Sequence, residues 1–393
     1  MSQVLLKNIG TLVSGNIEEP ILKATAIWIE DGIIKRVGHV HDMDEKGAGI
    51  IIDCKGMTVT PGLIDSHCHP VLGDFTPRQK QFGFLDSELH GGVTTVISAG
   101  EVHLPGRPTD PAGTKALAIL AAKSFANFRP GGLKVEGGAL ILEKGLTEED
   151  FREMAGEGVH IVGEIGLGSV KDPEDAAPMV QWAKKYGMTV MMHTGGTSIP
   201  GSSTVTAEQV IRTGPDIVSH LNGGPTAVSM EEAEKLITQT DLALEFVHCG
   251  NPKVAVEAAR LMVQHKAIHR GIIGNDAPSG TGVVPLGVLR VINHLASLTP
   301  VTPEEAICMA TGNTAKVHKL NRGIIEAGRE ADLVIMDTPM GSIGKDALDA
   351  IQAGDIPGVA MVLVDGEIVV TKSRNTPPAV REPSVINLKL ENG

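Results

Sequence analysis

The sequence predicts a (β/α)8 barrel of the α/β class, carrying a small β-sandwich built from both ends of the chain. Three observations lead there. From about residue 60 onward, short apolar runs alternate with helix-like segments, and eight such runs fit into about 250 residues, the size of this fold. The two ends are broken instead into short strand-like runs by turn signals such as Asp31-Gly32, Lys55-Gly56 and Asp365-Gly366. Several of the middle runs close on a single histidine or acidic residue, the place where a barrel puts its chemistry.

Composition narrows the class. The chain has 393 residues, enough to bury a large core, with 42% hydrophobic and 21% charged residues as in ordinary globular proteins. Aromatics make up only 3%, which disfavours a stacking platform for single-stranded nucleic acid. The net charge of −13, with no Lys/Arg cluster, disfavours nucleic acid and anionic membrane as partners. Cys54, Cys68, Cys249 and Cys308 are scattered and form no Cys-x-x-Cys pair, so neither a disulfide framework nor a thiolate zinc site is indicated. Met1 to Gly10 lacks the pattern of a signal peptide, and no run approaches the ~20 apolar residues of a membrane span. The expected location is the cytoplasm.

Taken in order, residues 1–59 read as the first part of the β-sandwich, with apolar segments at 4–15, 24–38 and 50–59. Residues 60–323 read as the barrel. Its strands are expected at 57–64, 93–99, 133–140, 159–165, 188–194, 217–221, 242–248 and 270–276. Helices are expected between them, at 79–90, 113–126, 147–157, 175–186, 206–213, 229–238 and 252–266, and beyond them at 285–297 and 303–317. Start signals such as Thr147 to Asp150 and Asp172-Pro173 support several of these. No GxGxxG opens a helix, so nothing favours dinucleotide binding. Residues 324–373 complete the sandwich, and 374–393 read as an extended tail.

The strand ends carry the candidate chemistry. His67 and His69 leave the first strand one residue apart, and the two-residue period of a strand turns both to the same side. Cys68 between them points the other way. Glu164 closes the fourth strand, His193 the fifth, His220 the sixth and Asp276 the eighth. Any one of these alone is an ordinary hydrogen-bonded strand end; six in one register point to a shared site. Four imidazoles and two carboxylates suffice for two divalent metal ions with a bridging ligand, a centre that acidifies water at neutral pH. Asp276 then takes the proton of the attacking water and hands it to a leaving nitrogen. Candidate substrate contacts are Thr194 and Gly195 in a Gly/Ser/Thr-rich loop, His248 after the seventh strand, and the cations Arg78, Arg107 and Lys253 for a carboxylate.

These motifs, with the Thr60-Pro61-Gly62-Leu63-Ile64-Asp65 lead-in and the late Gly328 to Val334 stretch, resemble the amidohydrolase superfamily. Many cyclic amidohydrolases bridge their metals with a carboxylated lysine on strand four. No lysine stands there in this chain, since Lys171 lies well past the strand, and Glu164 takes the place. Stretches beginning at Leu89, Pro105, His193, Cys249, Gly274 and Lys372 are similar to the enamidase branch of that superfamily. The resemblance implies zinc on His67, His69 and Asp276, iron on His193 and His220, and Glu164 as the bridge. It also implies a homotetramer and a small cyclic amide substrate with a carboxylate, 6-oxo-1,4,5,6-tetrahydronicotinate, opened to 2-formylglutarate with release of ammonia in nicotinate degradation. The rival readings are a hydantoinase-, dihydroorotase- or isoaspartyl-dipeptidase-like hydrolysis and, in another class, a metal-free scaffold.

Overall fold

The computed structural model describes residues 3–72, 81–197, 204–223, 227–278 and 284–387. Eight parallel strands form the barrel: β1 (Leu63–Cys68), β2 (Val93–Ser98), β3 (Lys134–Glu136), β4 (Ile161–Ile165), β5 (Thr189–Met192), β6 (Ile217–Val218), β7 (Ala243–Val247) and β8 (Gly271–Gly274). Ladders join β1 to β3 and β4 to β8. Two single bridges close the ring: Leu140 with Val162 on one side, Cys68 with Ala277 on the other. These strands are buried on both faces, as parallel strands covered by helices must be, and so they read as near-continuous apolar runs.

The helices follow from local signals. Asp110 caps Pro111–Asn127 by accepting from the Gly113 N–H, and Thr147 with Asp150 forms a capping box on Glu148–Gly156. The expected helix at 303–317 is broken: Pro303–Cys308 and Thr314–Val317 are α-helical, and Met309–Asn313 between them is a π-helical turn.

Both chain ends meet in two sheets beside the barrel. One has five strands, in the order Ser384–Asn387, Ile50–Asp53, Gln3–Lys7, Ala26–Glu30, Ile33–Gly38. The other has six, in the order Glu367–Val370, Gly358–Val364, Leu333–Asp337, Thr58–Pro61, Thr11–Val13, Ile21–Leu22. Val4, Leu6, Ile27, Ile29, Val59, Leu333, Ile335 and Leu363 pack together between them.

Two expectations change here. The apolar run expected as one barrel strand over 57–64 is divided: Thr58–Pro61 pairs with Leu333–Asp337 in the sandwich, and β1 starts at Leu63. Gly62 is the crossing point, where a β-carbon would lie 2.1 Å from Thr94 Oγ1. The tail, in turn, supplies an edge strand, because Ser384–Asn387 pairs antiparallel with Ile50–Asp53.

Among the described residues, no helix is long and apolar enough to cross a membrane.

Candidate metal centre

β1 carries His67 inside the strand and His69 just beyond it, and their Nε2 atoms come within 3.3 Å of each other. Cys68 points away into the core, and burial followed by the charges of Asp65 and Glu88 pushes its thiol well up, so it packs as a neutral group. Asp276, just past β8, puts Oδ1 at 3.6 Å from His67 Nε2 and 3.4 Å from His69 Nε2. These three side chains form one group of potential ligand atoms, all within 4.8 Å of one another.

Glu164, His193 and His220 form a second such group. Glu164 on β4 faces both. Its Oε2 is 3.5 and 3.7 Å from His67 and His69, and its Oε1 is 2.6 and 3.9 Å from His220 and His193. All six residues predicted from the sequence therefore converge at the C-terminal mouth of the barrel.

The outer nitrogens of three rings are already engaged. His67 Nδ1 lies 2.7 Å from Glu245, His69 Nδ1 3.1 Å from the Gly100 carbonyl, and His193 Nε2 3.0 Å from the Gly196 carbonyl. Donation there fixes each tautomer and leaves a lone pair facing inward. His193 Nδ1 and His220 Nε2 then face each other at 3.1 Å, and Glu164 Oε1 stands 2.6 Å from the same His220 nitrogen. Imidazole nitrogens and carboxylate oxygens converging this closely fit divalent cations.

Burial alone pushes His67 down, but Glu245, Glu164 and Asp276 outweigh it and raise the imidazole well above its ordinary value. Burial likewise pushes Glu164 and Asp276 up, and the surrounding imidazoles hold both below the usual carboxylate range. Imidazoles and carboxylates here balance one another's charge.

Backbone geometry is strained at two of these residues. His220 has φ 36° and Asp276 has φ 57°, both in the left-handed region. For Asp276 the position is held by its N–H donating to the His67 carbonyl at 2.8 Å, while the His69 N–H donates to the Ala277 carbonyl at 2.9 Å. These bonds also sew β1 to β8.

Most of the expected substrate contacts are engaged elsewhere. The Thr194 hydroxyl donates to the Ser219 carbonyl at 2.8 Å, and Gly195 exchanges backbone bonds with Val205. Arg107 forms an ion pair with buried Glu143 at 2.9 Å. Lys253 has an 82% exposed side chain and stands 3.8 Å from Glu257. In this structure local partners or solvent already satisfy the polar groups of these four residues. Arg78 lies outside the described residues. His248 remains: it follows β7, its N–H donates to Gly274 on β8, and burial followed by the Arg290 and His294 charges lowers its pKa. His103 faces His69 edge-on, with ring centroids 5.5 Å apart.

Sequence reading missed two groups. Glu245 is fully buried in the middle of β7, and Asp65, two residues before His67, accepts from the N–H groups of His67 and Asn275 at 3.0 and 2.8 Å. Burial pushes Asp65 up to about 7 against those two donors. The signal was available for Glu245: a lone carboxylate inside the apolar run Ala243 to Val247.

Residues 58–369 match the amidohydrolase family. The chain is 60% identical to an enamidase of Eubacterium barkeri, over 98% of this chain and all of that protein. It is 26% identical to an imidazolonepropionase of Brevibacillus brevis, over 91% of this chain and 92% of the relative. A crystal structure of enamidase superposes with a TM-score of 0.95 at 60% identity, covering 98% of this chain and 100% of that one. A β-aspartyl dipeptidase of Fervidobacterium islandicum, 18% identical with a TM-score of 0.69 over 96% of this chain and 100% of that one, shares the fold. With the strand-end ligand groups and the match over most of its length, the chain belongs to the amidohydrolase family.

Proposed function

We propose that this chain is an enamidase-type hydrolase that opens the ring amide of 6-oxo-1,4,5,6-tetrahydronicotinate and releases 2-formylglutarate and ammonia. The observation that carries the reading is Glu164, whose Oε2 faces His67 and His69 and whose Oε1 faces His193 and His220 at the barrel mouth. His67, His69 and Asp276 would hold one divalent ion, His193 and His220 the other, with Glu164 between them; we take the pair to be zinc and iron, which imidazole and carboxylate donors suit. Bound there, the two ions would supply an acidified water and polarise the amide oxygen.

The chain's own residues do the rest. Asp276, the most exposed of the six at 19%, takes the proton of the attacking water and delivers it to the ring nitrogen as the C–N bond breaks. One water is consumed in opening the amide. A second adds to the exposed enamine, which releases ammonia and leaves the aldehyde. His248, with the Arg290 charge beside it, is the polar contact proposed for the substrate carboxylate. The assembly proposed is a homotetramer, on the resemblance to enamidases, and light scattering measures it.

The test is a hydrolysis assay on a small panel: the tetrahydronicotinate, a hydantoin, dihydroorotate and a β-aspartyl dipeptide, with metal content measured on the same sample. Turnover of the first, with about two ions per chain, is expected. Preferred turnover of another member reassigns the substrate. Less than about one ion per chain after metal-replete expression returns the chain to a scaffold.

A further inference from the structure

Glu245 is the charged anchor that the two ligand groups share. Its Oε2 lies 2.7 Å from His67 Nδ1 and 3.1 Å from the His220 backbone N–H, so it accepts from one member of each group. Its Oε1 accepts from the Ser66 hydroxyl at 2.6 Å, and its own carbonyl accepts from the Leu221 N–H at 2.8 Å. The side chain is wholly buried.

Two consequences follow from elementary chemistry. A carboxylate on Nδ1 fixes His67 with Nε2 as the inward lone pair and makes that nitrogen a stronger base than a neutral carbonyl would. The anchors of His69 and His193 are neutral carbonyls, Gly100 and Gly196, so His67 differs from them. His220, meanwhile, sits at φ 36°, a left-handed conformation that is strained for a side-chain-bearing residue and must be held by its surroundings. Glu245 brackets it, through its side chain to the His220 N–H and through its carbonyl to the next N–H.

We infer that Glu245 is a positioning residue that couples the two halves of the metal centre, presenting His67 to one position and His220 to the other. It acts through those ligands and touches neither substrate nor reacting atoms. The inference rests on the two-ion reading given above.

The test uses the full-length protein, Zn2+ alone as the probe, and competition with a chromophoric chelator. Glu245→Gln keeps the shape: its amide oxygen can accept from His67 and His220 while its NH2 donates to Ser66 Oγ. The variant should retain the wild-type fold by circular dichroism but bind Zn2+ about 10–100-fold more weakly at both positions. His69→Asn, which touches one group, should weaken mainly one. Unchanged affinity in folded Glu245→Gln, or weakening at a single position, overturns the assignment.

Should Glu245→Gln not fold, Ser66→Ala decides. It leaves the His67 and His220 contacts in place, so affinity should stay within about threefold of wild type, and a loss beyond about tenfold overturns the role. Wild type is titrated in the same series. If it fails to bind two ions, the two-ion reading falls; if it binds two and Glu245→Gln matches it, only the coupling role falls.

Discussion

Asp276 serves two demands at the residue scale: it faces the Nε2 atoms of His67 and His69, and it is the group proposed to move the proton. Asparagine keeps an oxygen for the first task and cannot perform the second. Asp276→Asn should therefore retain metal by elemental analysis and lose turnover by about 10²–10⁴-fold; near wild-type rates would remove the proton shuttle from Asp276. Glu164 is tested differently, because its two oxygens face two groups. Glu164→Gln loses the charge and one acceptor, so it should lose metal, activity or both, and full metal content with normal activity would end its bridging role. These six residues were legible in the sequence because each closes an apolar run, and strand ends of a barrel converge whatever their distance along the chain. Glu245 was not legible in the same way, since its place in mid-strand marks no end. The partners of the expected substrate contacts were not legible either: the Thr194 hydroxyl and the Arg107 charge meet Ser219 and Glu143, and only tertiary packing brings those groups close.

At the scale of elements, the broken helix after Thr302 carries a second consequence. Thr314–Val317 ends on His318, which is buried with neither ring nitrogen hydrogen-bonded. Burial, with the His160 charge adding to it, lowers its pKa to about 3. The folded value lies below the unfolded one of about 6.5, so between these the unfolded chain binds the extra proton. Stability from this group is full above pH 6.5 and falls as the pH drops toward 3, by about 2 kcal/mol already at pH 5. His318→Leu should flatten the acid limb of a melting-temperature profile between pH 7 and 5 while changing little at pH 8. An equal slope in both proteins would show that His318 does not titrate in this way.

For the whole molecule, a buried ion cluster ties barrel to sandwich. Lys134 begins β3 and reaches Glu330 at 2.7 Å, Asp332 at 2.9 Å and Asp365 at 2.6 Å, all in the returning C-terminal part of the chain. Its side chain is 4% exposed and that of Asp332 is 1% exposed. Removing Lys134 leaves buried Asp332 with only Arg322, 4.0 Å away, as a counter-charge, so Lys134→Met should destabilise the protein in urea unfolding by up to about 3 kcal/mol. The proposed metal ligands lie at the other end of the strands, so metal content at neutral pH should hold. A loss of metal with no loss of stability would contradict this division of labour between the two ends of the barrel.

The sequence by itself determined the barrel, the pairing of the chain ends in a sandwich, and the six strand-end residues that converge at the barrel mouth, because periodicity and strand termini are local properties that repeat at regular spacing. Tertiary structure decided what depends on distant partners. It decided that Thr58–Pro61 belongs to the sandwich and β1 begins only after Gly62, since an apolar run does not say which sheet it joins. It decided that the last strand comes from the tail. It decided, above all, that a carboxylate on β7 stands behind a histidine on β1, a contact across 178 residues that follows from barrel closure and from nothing nearby in the chain.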